Sequence, residues 1–314
     1  MNNLKAVADK LMTMDNIHIL THRYPDGDTL GSAYALCSAL QQLGKNAKVI
    51  TSGEPAKKYA FLKKGVKEQE FERQAVVSVD VAATSLLGDN EEEYKDIIDI
   101  CIDHHGTNSI EAKMKYVDAA SASAAEVVFE LLGLMTGVAL DEHIASCIYT
   151  GLSTDTGCFR YTNTTPKTHL IAAKTMAAGA PWEKINAEMF EIMSPARIEL
   201  QKLVYNTLEL HLDGKVALIS VTLDMLKKAG VGDDEVEGLA SIPRRVEGVL
   251  MGITIREKED GIFKISVRTN EGVDASAFCG KFGGGGHVAA SGCTVEGTLD
   301  SVKQALLSEA ERTL

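Results

Sequence analysis

One imidazole and two carboxylates lie within seven residues: His22, Asp26 and Asp28, in the stretch Thr21-His22-Arg23-Tyr24-Pro25-Asp26-Gly27-Asp28-Thr29-Leu30-Gly31-Ser32. Imidazole with carboxylate is the ligand set of Mn²⁺, Zn²⁺ or Fe²⁺, whereas Mg²⁺ prefers oxygen alone. Pro25 and Gly27 stiffen and sharpen the turn that would let the three side chains converge. Taken alone, the stretch reads equally well as an Asp-rich turn that caps a helix. The same residue types recur further along, at Asp80, at Asp103-His104-His105 and at Asp155. Two divalent cations held about 4 Å apart need a carboxylate that bridges them and separate ligands for each. Asp80, alone on its strand, is the natural bridge. Asp103 has another reading, as a carboxylate that only orients an adjacent histidine. His105 likewise reads as a non-ligand aimed at substrate. His18, His143, His169 and His211 have no such companions and are expected to be surface or packing residues.

The elements that would position these groups follow from the apolar pattern. Ile17-His18-Ile19-Leu20 is a short run of the kind that fills a buried parallel strand, and Leu30 to Leu43 carries Ala33, Leu36, Cys37 and Leu40 at helical spacing. A strand therefore delivers the first loop and a helix leads away from it. Ala47–Thr51, Gln74–Asp80 and Ile97–Ile102 read as further strands, the last two ending on Asp80 and on Asp103-His104-His105. Ala-rich helical stretches follow over Ser121–Leu134 and Glu142–Leu152, and the second runs into Thr154-Asp155-Thr156-Gly157. Strand alternating with helix predicts a parallel α/β sheet over this half, with acidic and imidazole groups at successive strand ends. Beyond it, Ser194-Pro195 opens a long polar helix. Strands over Val216–Val221, Val249–Arg256 and Ile262–Arg268, a Gly283-Gly284-Gly285-Gly286-His287 run and a closing helix then predict a smaller α+β domain. The expected division is 1–185 for the α/β domain, 186–210 for a helical connector and 211–314 for the second domain.

At 314 residues the chain suits two domains. A net charge of −12 argues against a binder of long duplex or polymeric nucleic acid, which needs a basic surface, but not against a small phosphorylated substrate. No apolar run reaches the length of a membrane span, and Met1–Lys10 lacks an apolar signal core, so a cytoplasmic protein with no membrane partner is expected. Its six cysteines, none in a Cys-x-x-Cys pair, read as buried thiols rather than a zinc cage.

Thr21-His22 to Ser32, Val79-Asp80, Asp103-His104-His105 and Thr154-Asp155-Thr156-Gly157 together resemble the DHH phosphoesterase family. The Gly283-Gly284-Gly285-Gly286-His287 run resembles the signature of the DHH-associated domain. The likeness spans nearly the whole chain, and the size and domain pair resemble the NrnA-type subgroup of nanoRNases and pAp phosphatases. The resemblance implies a Rossmann-like catalytic domain, a helical linker and a DHH-associated substrate domain. By motif it implies that His22 and Asp26 bind one metal, that Asp28, His104 and Asp155 bind a second, and that Asp80 bridges them. It places His105 by the scissile phosphate, with Asp80 and Asp103 completing the catalytic group. It also implies two divalent ions, in this family usually Mn²⁺.

The activity so implied is hydrolysis of very short oligoribonucleotides, including linear dinucleotides such as pApA, to 5′-mononucleotides, and of pAp to AMP. A hydroxide bridging the metals would attack phosphorus in line. Arg268, Gly283 to Gly286 and His287 are expected to hold substrate, through a guanidinium fork and close backbone approach. Arg160, in Phe159-Arg160-Tyr161, reads either as a phosphate contact beside stacking aromatics or as packing, and Arg244-Arg245 as either substrate contacts or solvated surface. The alternatives are a cyclic-dinucleotide phosphodiesterase, a manganese-dependent inorganic pyrophosphatase, which would need a Lys- and Arg-rich second domain, and a nucleotide sensor without catalysis. A homodimer is left open.

Overall fold

The computed structural model describes residues 3–236, 238–270 and 272–314. The chain divides into two units, Met1–Ile192 and Met193–Leu314. In the first, the opening helix Leu4–Thr13 (α1) leads to strand Ile17–Leu20 (β1), and helix Gly27–Gln42 (α2) leads to strand Ala47–Ile50 (β2). One helical turn, Ala60–Lys63 (α3), precedes Ala75–Val79 (β3), and another, Glu91–Tyr94 (α4), precedes Ile100–Asp103 (β4). Met114–Val117 (β5) and the helices Ala124–Gly133 (α5), Glu142–Asp155 (α6), Pro166–Ala177 (α7) and Trp182–Asn186 (α8) complete the unit.

The five strands form one parallel sheet in the order β2-β1-β3-β4-β5. Every residue of β1, β3 and β4 is buried, which is why these runs are mostly apolar rather than alternating, with only His18, Ser78 and Asp103 polar. Ile17, Ile19, Val77, Val79, Ile100 and Ile102 meet the helical layer on one face. Leu20, Val76 and Cys101 meet Tyr94, Ile98 and Ile110 on the other. Because β1 lies between β2 and β3, the chain leaves it in one direction and returns on its opposite side. Above that reversal the carboxyl ends of β1 and β3 have no crossover filling the space between them, so an open crevice forms there.

Helices α2 and α6 cross closely over the sheet, and glycine makes the approach possible. A β-carbon on Gly31 would lie 2.4 Å from the Cys147 carbonyl oxygen, and one on Gly151 would lie 2.7 Å from Asp28 Oδ1. Close packing there brings Asp28 at the start of α2 beside Asp155 at the end of α6.

The second unit begins with the helix Pro195–Tyr205 (α9), capped by Ser194, whose hydroxyl accepts the Arg197 amide at 2.9 Å. Sequence reading makes this helix a connector; it buries Leu200 and Val204 against Ile219, Val221, Leu226 and Ile242 of the second unit itself. After it come Glu209–His211 (β6), Val216–Val221 (β7), Leu223–Ala229 (α10), Met251–Glu259 (β8), Ile262–Thr269 (β9) and Ala275–Gly280 (α11). Gly285–His287 (β10), Ala290–Glu296 (β11) and Leu299–Thr313 (α12) close the chain. The mixed sheet runs β10-β11-β9-β8-β7-β6, antiparallel except for β7 with β8. The glycine run is thus no loose loop: Gly285 to His287 add an edge strand to β11. Gly286 sits at φ 151°, where a β-carbon would lie 2.7 Å from the Ala290 carbonyl oxygen. Among the described residues, no helix is long and apolar enough to cross a membrane.

Candidate metal centre

The acidic and imidazole groups come from the ends of several elements: the loop after β1 and the start of α2, the ends of β3 and β4, and the end of α6. Asp26 caps α2, its Oδ1 accepting the Asp28 amide at 3.0 Å and the Thr29 amide at 3.1 Å. Asp28, in the first turn, is buried and turned towards α5. Its Oδ2 accepts the Ala124 amide at 2.7 Å and its Oδ1 the Ala125 amide at 2.9 Å, so the positive end of a second helix holds it. Asp80 follows β3 with φ at 58°, a left-handed conformation that non-glycine residues adopt rarely and mostly where the surroundings enforce it. Its amide donates to the Ile102 carbonyl at 3.0 Å, which ties the turn to β4. Asp155 is the last residue of α6, where the helix dipole disfavours a carboxylate unless a cation answers it.

Two sets converge on Asp80. His22 Nε2 lies 3.9 Å from Asp26 Oδ1 and 3.9 Å from Asp80 Oδ2. His104 Nε2 lies 3.6 Å from Asp80 Oδ1, 3.8 Å from Asp28 Oδ2 and 3.7 Å from Asp155 Oδ2. Asp80 therefore turns one oxygen to each set. The spacings exceed a hydrogen bond. Ligand atoms of His22, Asp26 and Asp80 lie within 4.8 Å of one another, as do those of Asp28, His104 and Asp155, close enough for each group to hold a cation. Asp80 Oδ1 is buried, and among the described residues no hydrogen-bond donor satisfies it. Buried polar atoms are seldom left so, and a cation is what this donor set fits.

Electrostatics agree. Burial, reinforced by Asp155, pushes the Asp28 carboxyl up to about 7. Burial, reinforced by Asp26, pushes Asp155 up to about 7 as well. Burial and the surrounding carboxylates raise Asp80 well above its ordinary value. Burial lowers His22. Negative charge is thus crowded where water cannot solvate it, and only positive charge relieves that. Asp103 behaves differently. Burial opposes its ionisation, but hydrogen bonds from His105, Asn108 and the His104 amide outweigh it and hold the carboxyl below its ordinary value. Its Oδ1 accepts His105 Nδ1 at 2.8 Å and the His104 amide at 2.7 Å, and its Oδ2 accepts Asn108 Nδ2 at 2.5 Å. The Asp103 hydrogen bond in turn raises His105 above the usual imidazole value.

Comparison with known proteins meets this arrangement from another direction. The model of the DHH family N-terminal domain matches residues 16–152, and that of the DHHA1 domain matches residues 213–314. The bifunctional oligoribonuclease and PAP phosphatase NrnA of Thermus thermophilus is 33% identical, across 99% of this chain and 94% of its own length. The chain belongs to the DHH family. The probable bifunctional oligoribonuclease and PAP phosphatase NrnA of Streptococcus mutans is 28% identical, with 93% of each chain covered. Among solved structures, an exopolyphosphatase-related protein from Bacteroides fragilis superposes with a TM-score of 0.89 at 25% identity, over 98% of this chain and 96% of its own.

His22, Asp26, Asp28, Asp80, Asp103, His104, His105 and Asp155 all meet within the unit that carries the DHH match. Arg160 is held close to its own turn, its Nε donating to the Gly157 carbonyl at 2.6 Å and its guanidinium 5.8 Å from the Phe190 ring centre. Phe159 packs, stacking on His169 at 5.2 Å. In the DHHA1 unit, His287 pairs with Ala290 and Ala290 with Arg268, so the two basic residues lie in one row across three strands. Arg244, in the turn Pro243–Arg245, presses its backbone on β8, where a β-carbon on Gly252 would lie 2.6 Å from its amide nitrogen. Sequence reading missed Asn108 and the amino end of α5. Neither carries a signal of its own: an asparagine three residues past a histidine pair is ordinary, and backbone amides have no letter in a sequence.

Proposed function

We propose that this DHH protein is a metal-dependent phosphoesterase of very short oligoribonucleotides, releasing 5′-mononucleotides, and of pAp, releasing AMP. The observation that carries the reading is Asp80, with one carboxylate oxygen turned to His22 and the other to His104. His22 and Asp26 would hold one cation, Asp28, His104 and Asp155 a second, and Asp80 both, with Mn²⁺ the expected metal. When bound, such ions supply Lewis acidity to a phosphoryl oxygen and to water. The names of the relatives in Thermus and Streptococcus support the substrate class.

The chain's own groups do the rest. Asp103 is ionised and can only accept, so His105 Nδ1 donates to it and Nε2 is left to face substrate. Raised above the usual imidazole range, His105 is protonated more readily near neutral pH and can donate from Nε2 to a phosphate oxygen as charge builds there. Asp28, braced by two amides, keeps its position without help from substrate. Arg268 and His287 hold the remainder of the nucleotide by charge-assisted contact.

One panel tests the reading. With Mn²⁺ added, release of AMP from pApA and pAp is followed beside cyclic dinucleotide, pyrophosphate and polyphosphate. Turnover of pApA and pAp well above the others is expected. Preference for pyrophosphate or polyphosphate would overturn the proposed substrate class.

A further inference from the structure

The geometry points to Asn108 as the residue that positions His105, acting through Asp103. This rests on the reading of His105 as the group that faces the scissile phosphate. Asn108 lies in the loop after β4, half-buried, and its side chain is committed at both ends. Nδ2 donates to Asp103 Oδ2 at 2.5 Å and to the Val81 carbonyl at 2.8 Å, while Oδ1 accepts the Ile110 amide at 3.0 Å. Two acceptors on one side and a donor on the other fix which way the amide faces. Its backbone is held as well, the amide donating to the His105 carbonyl at 3.0 Å and the carbonyl accepting Lys115 Nζ at 2.9 Å.

The consequence runs outward in two steps. Asp103 is fully buried and could rotate about its own side-chain bonds, but Asn108 pins Oδ2 and the His104 amide pins Oδ1. A carboxylate so held offers Oδ1 in one direction only, and His105 Nδ1 takes it at 2.8 Å. That bond sets both the tautomer and the plane of the imidazole, since the proton on Nδ1 leaves Nε2 as the outward nitrogen. The same Nδ2 reaches the carbonyl of Val81, the residue after Asp80, so one amide group references His105 to the strand end that carries the bridging carboxylate. Asp103 acts in this view as a positioning group: its Oδ1 takes the His104 amide and His105 Nδ1, and its Oδ2 takes Asn108 Nδ2.

Two measurements test the assignment. In wild-type protein treated with chelator, ¹⁵N spectra of the His105 ring above its titration range are expected to show the proton on Nδ1; a proton on Nε2, or rapid exchange between the two, overturns the proposal without any variant. For turnover, Asn108→Ala and the similarly sized Asn108→Leu are assayed on pApA at saturating Mn²⁺. Each is expected to lower kcat on the order of 10-fold or more with KM within about twofold. In a His105→Ala background the same substitutions are expected to cost less than about twofold, since the group they position is gone. Losses that persist in full in that background would assign Asn108 to general scaffolding. A wild type that turns over none of the nucleotides would instead refute the proposed function and leave the ¹⁵N result standing.

Discussion

Asp155→Asn should stabilise the chelated protein and weaken the Mn²⁺-loaded one. Burial and Asp26 move the Asp155 carboxyl from its ordinary 3.8 up to about 7. At 1.36 kcal/mol per pH unit, a shift of that size disfavours folding by about 4 kcal/mol once the group is ionised. The side chain remains 31% exposed and its neighbours can take up the proton instead, so about 2 kcal/mol is the expected gain on removing the charge. For a unit of this size that corresponds to roughly 4–8 °C in Tm. The sign with pH follows from the raised value. Below about pH 4 the carboxyl is protonated both folded and unfolded and costs nothing; the cost grows up to about pH 7 and is constant above it. Differential scanning calorimetry in chelator across that range should show the variant and the wild type converging at acid pH and separating as pH rises. With Mn²⁺ in excess the order should invert, because cation binding stabilises in proportion to affinity and the amide binds less well than the carboxylate. A variant that melts below the wild type in chelator at about pH 8, or a gap independent of pH, would refute the account of Asp155 as a destabilising charge held for a cation.

Asp80→Ala should abolish hydrolysis of every substrate while the chelated protein stays folded, because the residue's buried Oδ1 makes no hydrogen bond to lose; circular dichroism with the Mn²⁺ assay checks both halves, and substantial turnover would refute the shared-carboxylate reading. Gly151→Ala should destabilise by about 1–3 kcal/mol and weaken Mn²⁺ binding, since its β-carbon would fall 2.5 Å from that of Ala125 and 2.7 Å from Asp28 Oδ1; calorimetry of Mn²⁺ binding reads the second effect. Arg268→Ala and His287→Ala should lower kcat/KM on pApA on the order of 10-fold and leave Mn²⁺ affinity unchanged; loss of Mn²⁺ binding in either would remove them from the substrate-holding role. On a chain with net charge −12, activity should hold for oligoribonucleotides of about two to five units and fall steeply beyond, which a ladder of labelled substrates measures.

The ligand types, and the strands that carry them, are written locally. Ile17–Leu20, Ala75–Val79 and Ile100–Asp103 are legible because a strand buried on both faces is predominantly apolar, and each leads into polar chain. The short strands Met114–Val117, Glu209–His211 and Gly285–His287 are not legible: none is buried, so neighbouring chain rather than side-chain pattern makes them strands. Pro195–Tyr205 reads from its polar surface as a connector, and its Leu200 and Val204 find a core that only the folded second unit provides. The sequence by itself determined which residues could bind metal and that they stand at element ends. Only the tertiary structure decided that β1 lies between β2 and β3 to open the crevice, that Asp80 turns one oxygen to each histidine, and that the α5 amides and Asn108 hold Asp28 and Asp103. The physical reason is range. Residue type and periodicity report on a side chain's near neighbours, whereas the direction of a carboxylate is set by donors that arrive, in the case of Ala124 and Asp28, from 96 residues away.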